Sequence, residues 1–167
     1  KNAVFDSKTL HALAKSPEHR ERASHRRHGM PMDVTTRKPV PTPTTETLPY
    51  WEGCARGELL IQRCAECGHH QFFPRLYCSD CLSERVAWTK ASGRATVLSF
   101  TIVRRPVSPA FASEVPYVVA LVTLEEGPTM MTNIIGCPPE QVTIGMRLAV
   151  TFERISEEIS LPQFRRA

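Results

Sequence analysis

Two cysteine pairs with the same internal spacing, Cys64-Ala-Glu-Cys67 and Cys78-Ser-Asp-Cys81, constrain this chain more than any other feature. Tetrahedral zinc takes four soft ligands at about 2.3 Å, and a C-x-x-C turn delivers two thiolates from one tight knuckle. Gly68, directly after the first pair, allows the backbone to fold under a metal. Two such knuckles on adjacent β-hairpins close a site, so the spacing predicts a zinc ribbon with Cys64, Cys67, Cys78 and Cys81 as ligands. Four protein ligands leave no open position for water or substrate, and the zinc is therefore expected to be structural. Iron in an electron-transfer site would use the same ligand set, which spacing alone does not separate from zinc. A ribbon set between a helix and a barrel in a larger chain favours zinc, and a disulfide framework comes third.

The remaining sequence supplies the frame for that ribbon. With 167 residues, 41% hydrophobic and 23% charged, the composition is globular, with room for one domain and an appendage or for two small domains. The net charge of +4 is unevenly held. Residues 1–40 carry 9 Lys/Arg against 4 acids, and residues 41–167 carry 12 against 13, a body close to neutral. Such a body gains little from counterion release, the term that dominates non-specific nucleic-acid affinity. No apolar run is long enough to span a bilayer, and Lys1–Asp6 shows no secretory apolar core. The expected compartment is the reducing cytoplasm, with no membrane partner.

Along the chain, residues 1–40 read as a basic linker or tail with scattered histidines (His11, His19, His25, His28) and short helix starts at Asp6-Ser7 and Ser16-Pro17. Residues 41–58 are a proline-rich lead-in and a short helix with Thr47 as N-cap, Pro49 in its first turn and Gly57 at its end. The ribbon is assigned to 59–86 and a barrel with a C-terminal tail to 87–167. Strand-like runs fall at 59–63, 70–73, 86–90, 95–103, 117–124, 129–135 and 147–152, with a single helical turn at 139–142. The fold class that follows is mainly β: a rubredoxin-like zinc ribbon, then a five-stranded barrel of the oligonucleotide/oligosaccharide-binding (OB) type, behind a short helical N-terminal segment. The 105–116 loop is long for a hairpin and reads as a contact or lid element.

Motifs for independent catalysis are missing: the sequence has no G-x-S-x-G, phosphate-binding loop, dinucleotide fingerprint or H-E-x-x-H. Glu125-Glu126 and Glu157-Glu158 read as solvated faces. Cys54 reads as a small buried hydrophobe, Cys137 as a turn residue, and His69 and His70 as strand-end or surface residues. This chain is not expected to do chemistry alone.

Further residues carry a resemblance. Pro49-Tyr-Trp-Glu-Gly-Cys-Ala-Arg-Gly-Glu-Leu59, the ribbon, Trp88, Ser92–Thr101, Ile144-Gly-Met146 and Leu161-Pro-Gln-Phe-Arg165 together resemble the zinc-ribbon/OB-fold family known as domain of unknown function 35. The resemblance covers roughly residues 40–167. It implies a non-catalytic accessory subunit of acyl-CoA metabolism whose partner is a thiolase-like, lipid-transfer-type aldolase. That aldolase cleaves a steroid side chain by retro-aldol chemistry, in a heterotetramer of two chains each. In that branch the domain can follow a hot-dog-fold hydratase domain, and the basic lead-in is similar to an inter-domain linker.

Lys90, Arg94, Arg104 and Arg105 cluster at the ends of predicted barrel strands and are either contacts to the phosphates of CoA or ordinary strand-edge charges that deter edge pairing. Tyr50, Trp51, Phe72, Phe73 and Phe111 are candidates for a protein interface, most of them expected in the core. The alternative reading is a single-stranded nucleic-acid-binding module, for which the near-neutral body with few aromatics is a poor stacking platform.

Overall fold

The computed structural model describes residues 38–167. The expected helix starts and histidines of the N-terminal segment lie outside the described residues.

Helix α1 (Leu48–Ala55) opens at Thr47, with Pro at its start. The expected cap forms differently: the Thr47 hydroxyl oxygen accepts the Thr44 N–H at 2.8 Å and caps no helix N–H. Its other end closes as expected at Gly57, through Gly57 N–H to Cys54 C=O at 3.0 Å and Glu58 N–H to Gly53 C=O at 2.8 Å.

The ribbon sheet has the order β2-β1-β3, built from β1 (Leu60–Cys64), β2 (His70–Gln71) and β3 (Val86–Lys90), all antiparallel. β2 is shorter than the 70–73 run, because the chain turns away after Gln71. Val86–Lys90, set by the sequence pattern mostly on the barrel side of a boundary after 86, pairs along its whole length with β1.

The barrel is closed in the order β4-β5-β6-β8-β7, from β4 (Arg94–Val103), β5 (Tyr117–Leu124), β6 (Thr129–Ile135), β7 (Arg147–Arg154) and β8 (Ser160–Arg166). Alternation on β5 and β6 sends Val118, Ala120, Val122, Leu124, Met130 and Ile134 inward. A bulge at Leu98 shifts the β4–β5 register, and the Arg94–Thr96 stretch before it also pairs with β7. The bend lets one strand serve both sides of the closure. Where β3 passes into β4, Gly93 is required sterically: a Cβ there would stand 2.6 Å from Val150 Cγ1.

The fifth barrel strand is not the 86–90 run but β8, in the segment taken as a tail. It pairs antiparallel with β7 along its length and parallel with β6 at Ile134↔Phe164 and Ile135↔Arg165. Pro162 hid this strand, since proline interrupts most strand patterns. It lies ahead of the parallel pairing, so its missing N–H removes no bond to β6, and its carbonyl accepts the Thr132 hydroxyl at 3.2 Å.

Ribbon and barrel share one core. Leu59, Ile61 and Ala91 join Val97, Leu148 and Phe164 in a single buried cluster, and Tyr50 of α1 and Phe72 pack against it. Phe164 is fully buried. Phe164→Ala is expected to lower stability by about 3–5 kcal/mol, read from urea unfolding of the metal-loaded chain.

Candidate functional site

The four predicted ligands converge. Cys64 ends β1, Cys67 follows in the first knuckle, and Cys78 and Cys81 come from the loop between β2 and β3. Their Sγ atoms all lie within 4.8 Å of one another, with Cys64–Cys81 and Cys67–Cys78 each at 3.6 Å. A tetrahedron with Zn–S distances of about 2.3 Å has edges of roughly 3.8 Å. A disulfide would need about 2.0 Å, and all six cysteines are unbridged. The donor set and spacing thus fit a tetrathiolate zinc held for structure.

The two knuckles repeat one backbone geometry. Cys64 N–H donates to His69 C=O at 2.9 Å and Gly68 N–H returns to Cys64 C=O at 3.1 Å; in the second, Cys78 N–H donates to Ser83 C=O at 2.8 Å and Leu82 N–H returns to Cys78 C=O at 3.0 Å. The fifth position is left-handed in both, with φ +76 at Gly68 and +61 at Leu82. Glycine takes that conformation freely. For a residue with a β-carbon it costs about 1–2 kcal/mol.

Sequence reading missed the groups that hold the second knuckle. Gln62 and Gln71 face each other across β1 and β2, both buried. Gln71 Nε2 donates to Gln62 Oε1 at 2.8 Å and to Tyr77 C=O at 3.3 Å. Gln62 Oε1 also accepts Arg75 N–H at 2.8 Å, and Gln71 Oε1 accepts Ser79 N–H at 2.9 Å. These bonds pin the loop that delivers Cys78 opposite Cys67. The available signal was Gln62, a polar side chain on the strand face shared by Leu60 and the ligand Cys64, which when buried needs hydrogen-bond partners.

Cys54 is fully buried beside Tyr50, and burial pushes its thiol up to about 11. Burial also raises the Tyr50 hydroxyl well above its ordinary value. Cys137 is half-buried, while His69 is exposed and His70 opens β2.

The four basic candidates do not form one cluster. Lys90 and Arg94 flank the start of β4, whereas Arg104 and Arg105 follow its end. Ten residues of strand separate the groups by about 30 Å. Lys90 Nζ bonds Glu58 at 3.1 Å, Arg94 bonds Glu125 at 2.6 and 2.8 Å, and Arg104 reaches Glu140 at 3.3 Å. Hydrogen bonds from Lys90 and Arg94 hold the Glu58 and Glu125 carboxyls below the usual range. Both pairs thus persist above the ordinary carboxylate pKa and are lost only at lower pH; being exposed, they contribute little stability. Arg105 has no carboxylate within 4.0 Å among the described residues.

Along the barrel, bordered by β5, β6, β7 and β8, runs a groove of about 1210 Å³, lined among others by Phe111, Tyr117, Met131 and Phe152. Its two cations are engaged: Lys38 pairs with Glu114, and Arg154 donates to the Ser156 and Glu157 carbonyls at 3.1 Å each. The 105–116 loop carries a short 3-10 turn at Pro109–Phe111, and Phe111 stacks at a tilt on Tyr117. No helix among the described residues is long and apolar enough to cross a membrane.

Comparison with known proteins agrees with this geometry. Residues 51–87 match the family described as ChsH2, rubredoxin-like zinc ribbon domain, and residues 88–153 match ChsH2, C-terminal OB-fold domain. A DUF35 domain-containing scaffold protein of Methanothermobacter thermautotrophicus is 32% identical over 116 residues, 68% of this chain and 86% of that protein. The chain belongs to the DUF35 family. Of two longer relatives, a probable enoyl-CoA hydratase alpha subunit of Thermomonospora curvata is 35% identical over 130 residues, 78% of this chain. The 3-oxo-4,17-pregnadiene-20-carboxyl-CoA hydratase alpha subunit of Mycobacterium tuberculosis is 35% identical over 113 residues, 67% of this chain. The chain spans only 40% and 35% of those two proteins. Among solved structures, a chain of the Ltp2-ChsH2(DUF35) aldolase superposes with a TM-score of 0.69 at 35% identity, covering 76% of this chain and 98% of that one.

Two outcomes test the DUF35 metal centre. Alkylation of the native zinc-loaded chain, read by mass spectrometry, should modify Cys137 alone of the six cysteines, and chelator with denaturant should expose all six. Gln62→Ala should weaken zinc binding by about 10–100-fold in a competitive chelator titration while keeping all four ligands.

Proposed function

We propose that this chain is the accessory subunit of an acyl-CoA-processing complex, seated on a thiolase-like aldolase that cleaves a steroid side-chain CoA thioester by a retro-aldol step. The observation that carries this reading is the likeness to the Ltp2-ChsH2(DUF35) aldolase, which spans nearly all of the matched chain. Two further features support it. The tetrathiolate is a closed site, suited to holding a fold rather than to activating water, and a relative in hydratase form is named for a pregnadiene-carboxyl-CoA. On this reading the groups that break the carbon–carbon bond belong to the partner, in an assembly of two chains each, in the cytoplasm. This chain stabilises the partner and helps hold its CoA substrate.

Within that role, the CoA phosphates meet Arg105 together with Arg104. Lys90, Arg94 and Arg104 are engaged by Glu58, Glu125 and Glu140, which an incoming phosphate would have to displace, and Arg105 beside Arg104 has no carboxylate within 4.0 Å among the described residues. The zinc, when bound, supplies rigidity to the ribbon, and no chemical step passes through it.

Co-expression with a thiolase-like, lipid-transfer-type aldolase, followed by size-exclusion chromatography and turnover of a hydroxyacyl-CoA, tests the reading. Co-elution and activity requiring both chains are expected. Separate elution with unchanged turnover overturns it and makes single-stranded nucleic-acid binding the next measurement. In the active complex, Arg104→Ala with Arg105→Ala should raise KM about tenfold with little change in kcat, and Lys90→Ala with Arg94→Ala should leave KM near its starting value.

A further inference from the structure

The loop from Phe72 to Leu82 carries the second knuckle and exposes an unusual set of side chains. Phe73 is 67% exposed, Leu76 71%, Tyr77 50% and Leu82 75%. Four large apolar side chains are thus exposed within ten residues of one loop, an apolar exposure of the kind that marks an interaction surface. Leu82 is the most informative of them. It holds the left-handed position that its sister knuckle fills with Gly68, so the chain keeps a strained leucine where glycine would sit without strain. Its side chain covers almost nothing in this chain. The knuckle's own backbone bond, Leu82 N–H to Cys78 C=O at 3.0 Å, sets that conformation, and the exposed leucine side chain adds nothing to it.

A cavity of about 410 Å³ adjoins the patch, bordered by Phe73, Arg75 and Ser79 from the same loop and by Glu126 from the β5–β6 turn. Glu126 Oε1 accepts the Ser92 N–H at 2.5 Å, while Glu126 Oε2 is buried with no hydrogen-bond partner among the described residues. A buried carboxylate oxygen left unpaired is unfavourable and calls for a donor. Arg75, on the same wall, has no carboxylate within 4.0 Å among the described residues.

We propose that Phe73, Leu76, Tyr77 and Leu82 form the docking face of the ribbon, and that its occupant is a protein surface with an apolar patch edged by a lysine or arginine that enters the cavity and bonds Glu126. Apolar side chains supply the buried centre of this interface, and the Glu126 contact supplies its register. The identity of the occupant rests on the proposed function: it is the thiolase-like partner. The barrel groove is the lesser candidate, since its polar groups find partners within the chain.

The test measures affinity of the full zinc-loaded chain for the thiolase-like protein, alongside thermal unfolding of the chain alone. Leu82→Asn keeps a residue that tolerates the left-handed conformation and removes the apolar side chain. Its thermal midpoint should be unchanged or higher while binding weakens at least about tenfold. Phe73→Ser with Leu76→Ser should weaken binding as strongly. Glu126→Gln, which keeps an acceptor for Ser92, should weaken it about tenfold and flatten its salt dependence. Met131→Ser in the barrel groove should leave binding unchanged. Full affinity in the Leu82, Phe73/Leu76 and Glu126 variants overturns this inference and leaves the proposed function standing. Loss of binding in Met131→Ser alone moves the interface to the groove. Loss of CoA affinity by Phe73→Ser with complex formation intact makes the cavity a nucleotide site instead. Absence of binding by the unmutated chain removes the occupant and the proposed function together.

Discussion

Four thiolates brought within 4.8 Å of one another would repel strongly without a cation among them, and the ribbon is arranged around that requirement. β1 supplies Cys64 as its last residue, and the loop after β2 must return far enough to set Cys78 against Cys67. That loop has little regular structure of its own. It is fixed by the metal ligands at one end and by the Gln62–Gln71 pair at the other. The polar pair is buried and satisfied, so it specifies one loop path where an apolar pair would accept several. The surface of the ribbon is therefore only as well defined as its metal centre.

From this centre the consequences run into the barrel. β1 and β3 belong to the ribbon sheet, yet Leu59, Ile61 and Ala91 lie in the same core as Val97 and Phe164. Gly93 brings the crossing close against Val150, and Glu126 ties Ser92 to the β5–β6 turn. The ribbon is thus held in a defined pose on the barrel through a shared core. On the proposed reading a rigid pose matters, because a docking face gains more affinity when less freedom is lost on binding.

Much of the fold was legible because it is local. The C-x-x-C spacing fixed the metal ligands by a ring of a few residues, and β-rich runs bounded by the turn residues Glu126-Gly127-Pro128 and Gly136 fixed two strands, Tyr117–Leu124 and Thr129–Ile135, at their observed limits. The helical turn near Pro139 and the Gly57 stop were readable for the same reason. What was lost was pairing. β8 carries a proline and two arginines and has weak alternation, and becomes a strand only because β6 and β7 flank it. The 86–90 run was readable as a strand but not as a member of the ribbon.

The same division holds at the candidate site. By itself the sequence determined a closed four-sulfur centre, a mainly β chain and a family resemblance, since these rest on residue type and spacing. Only the tertiary structure decided that Lys90, Arg94 and Arg104 face carboxylates distant in sequence, at Glu58, Glu125 and Glu140. It likewise decided that Gln62 and Gln71 bond each other, that Leu82 sits strained in the open, and that Glu126 keeps a buried oxygen unpaired. The physical reason is that ligand spacing and side-chain period are properties of neighbouring residues. Charge neutralisation, burial and exposure depend on which distant strand arrives alongside, and that is settled by the whole core at once.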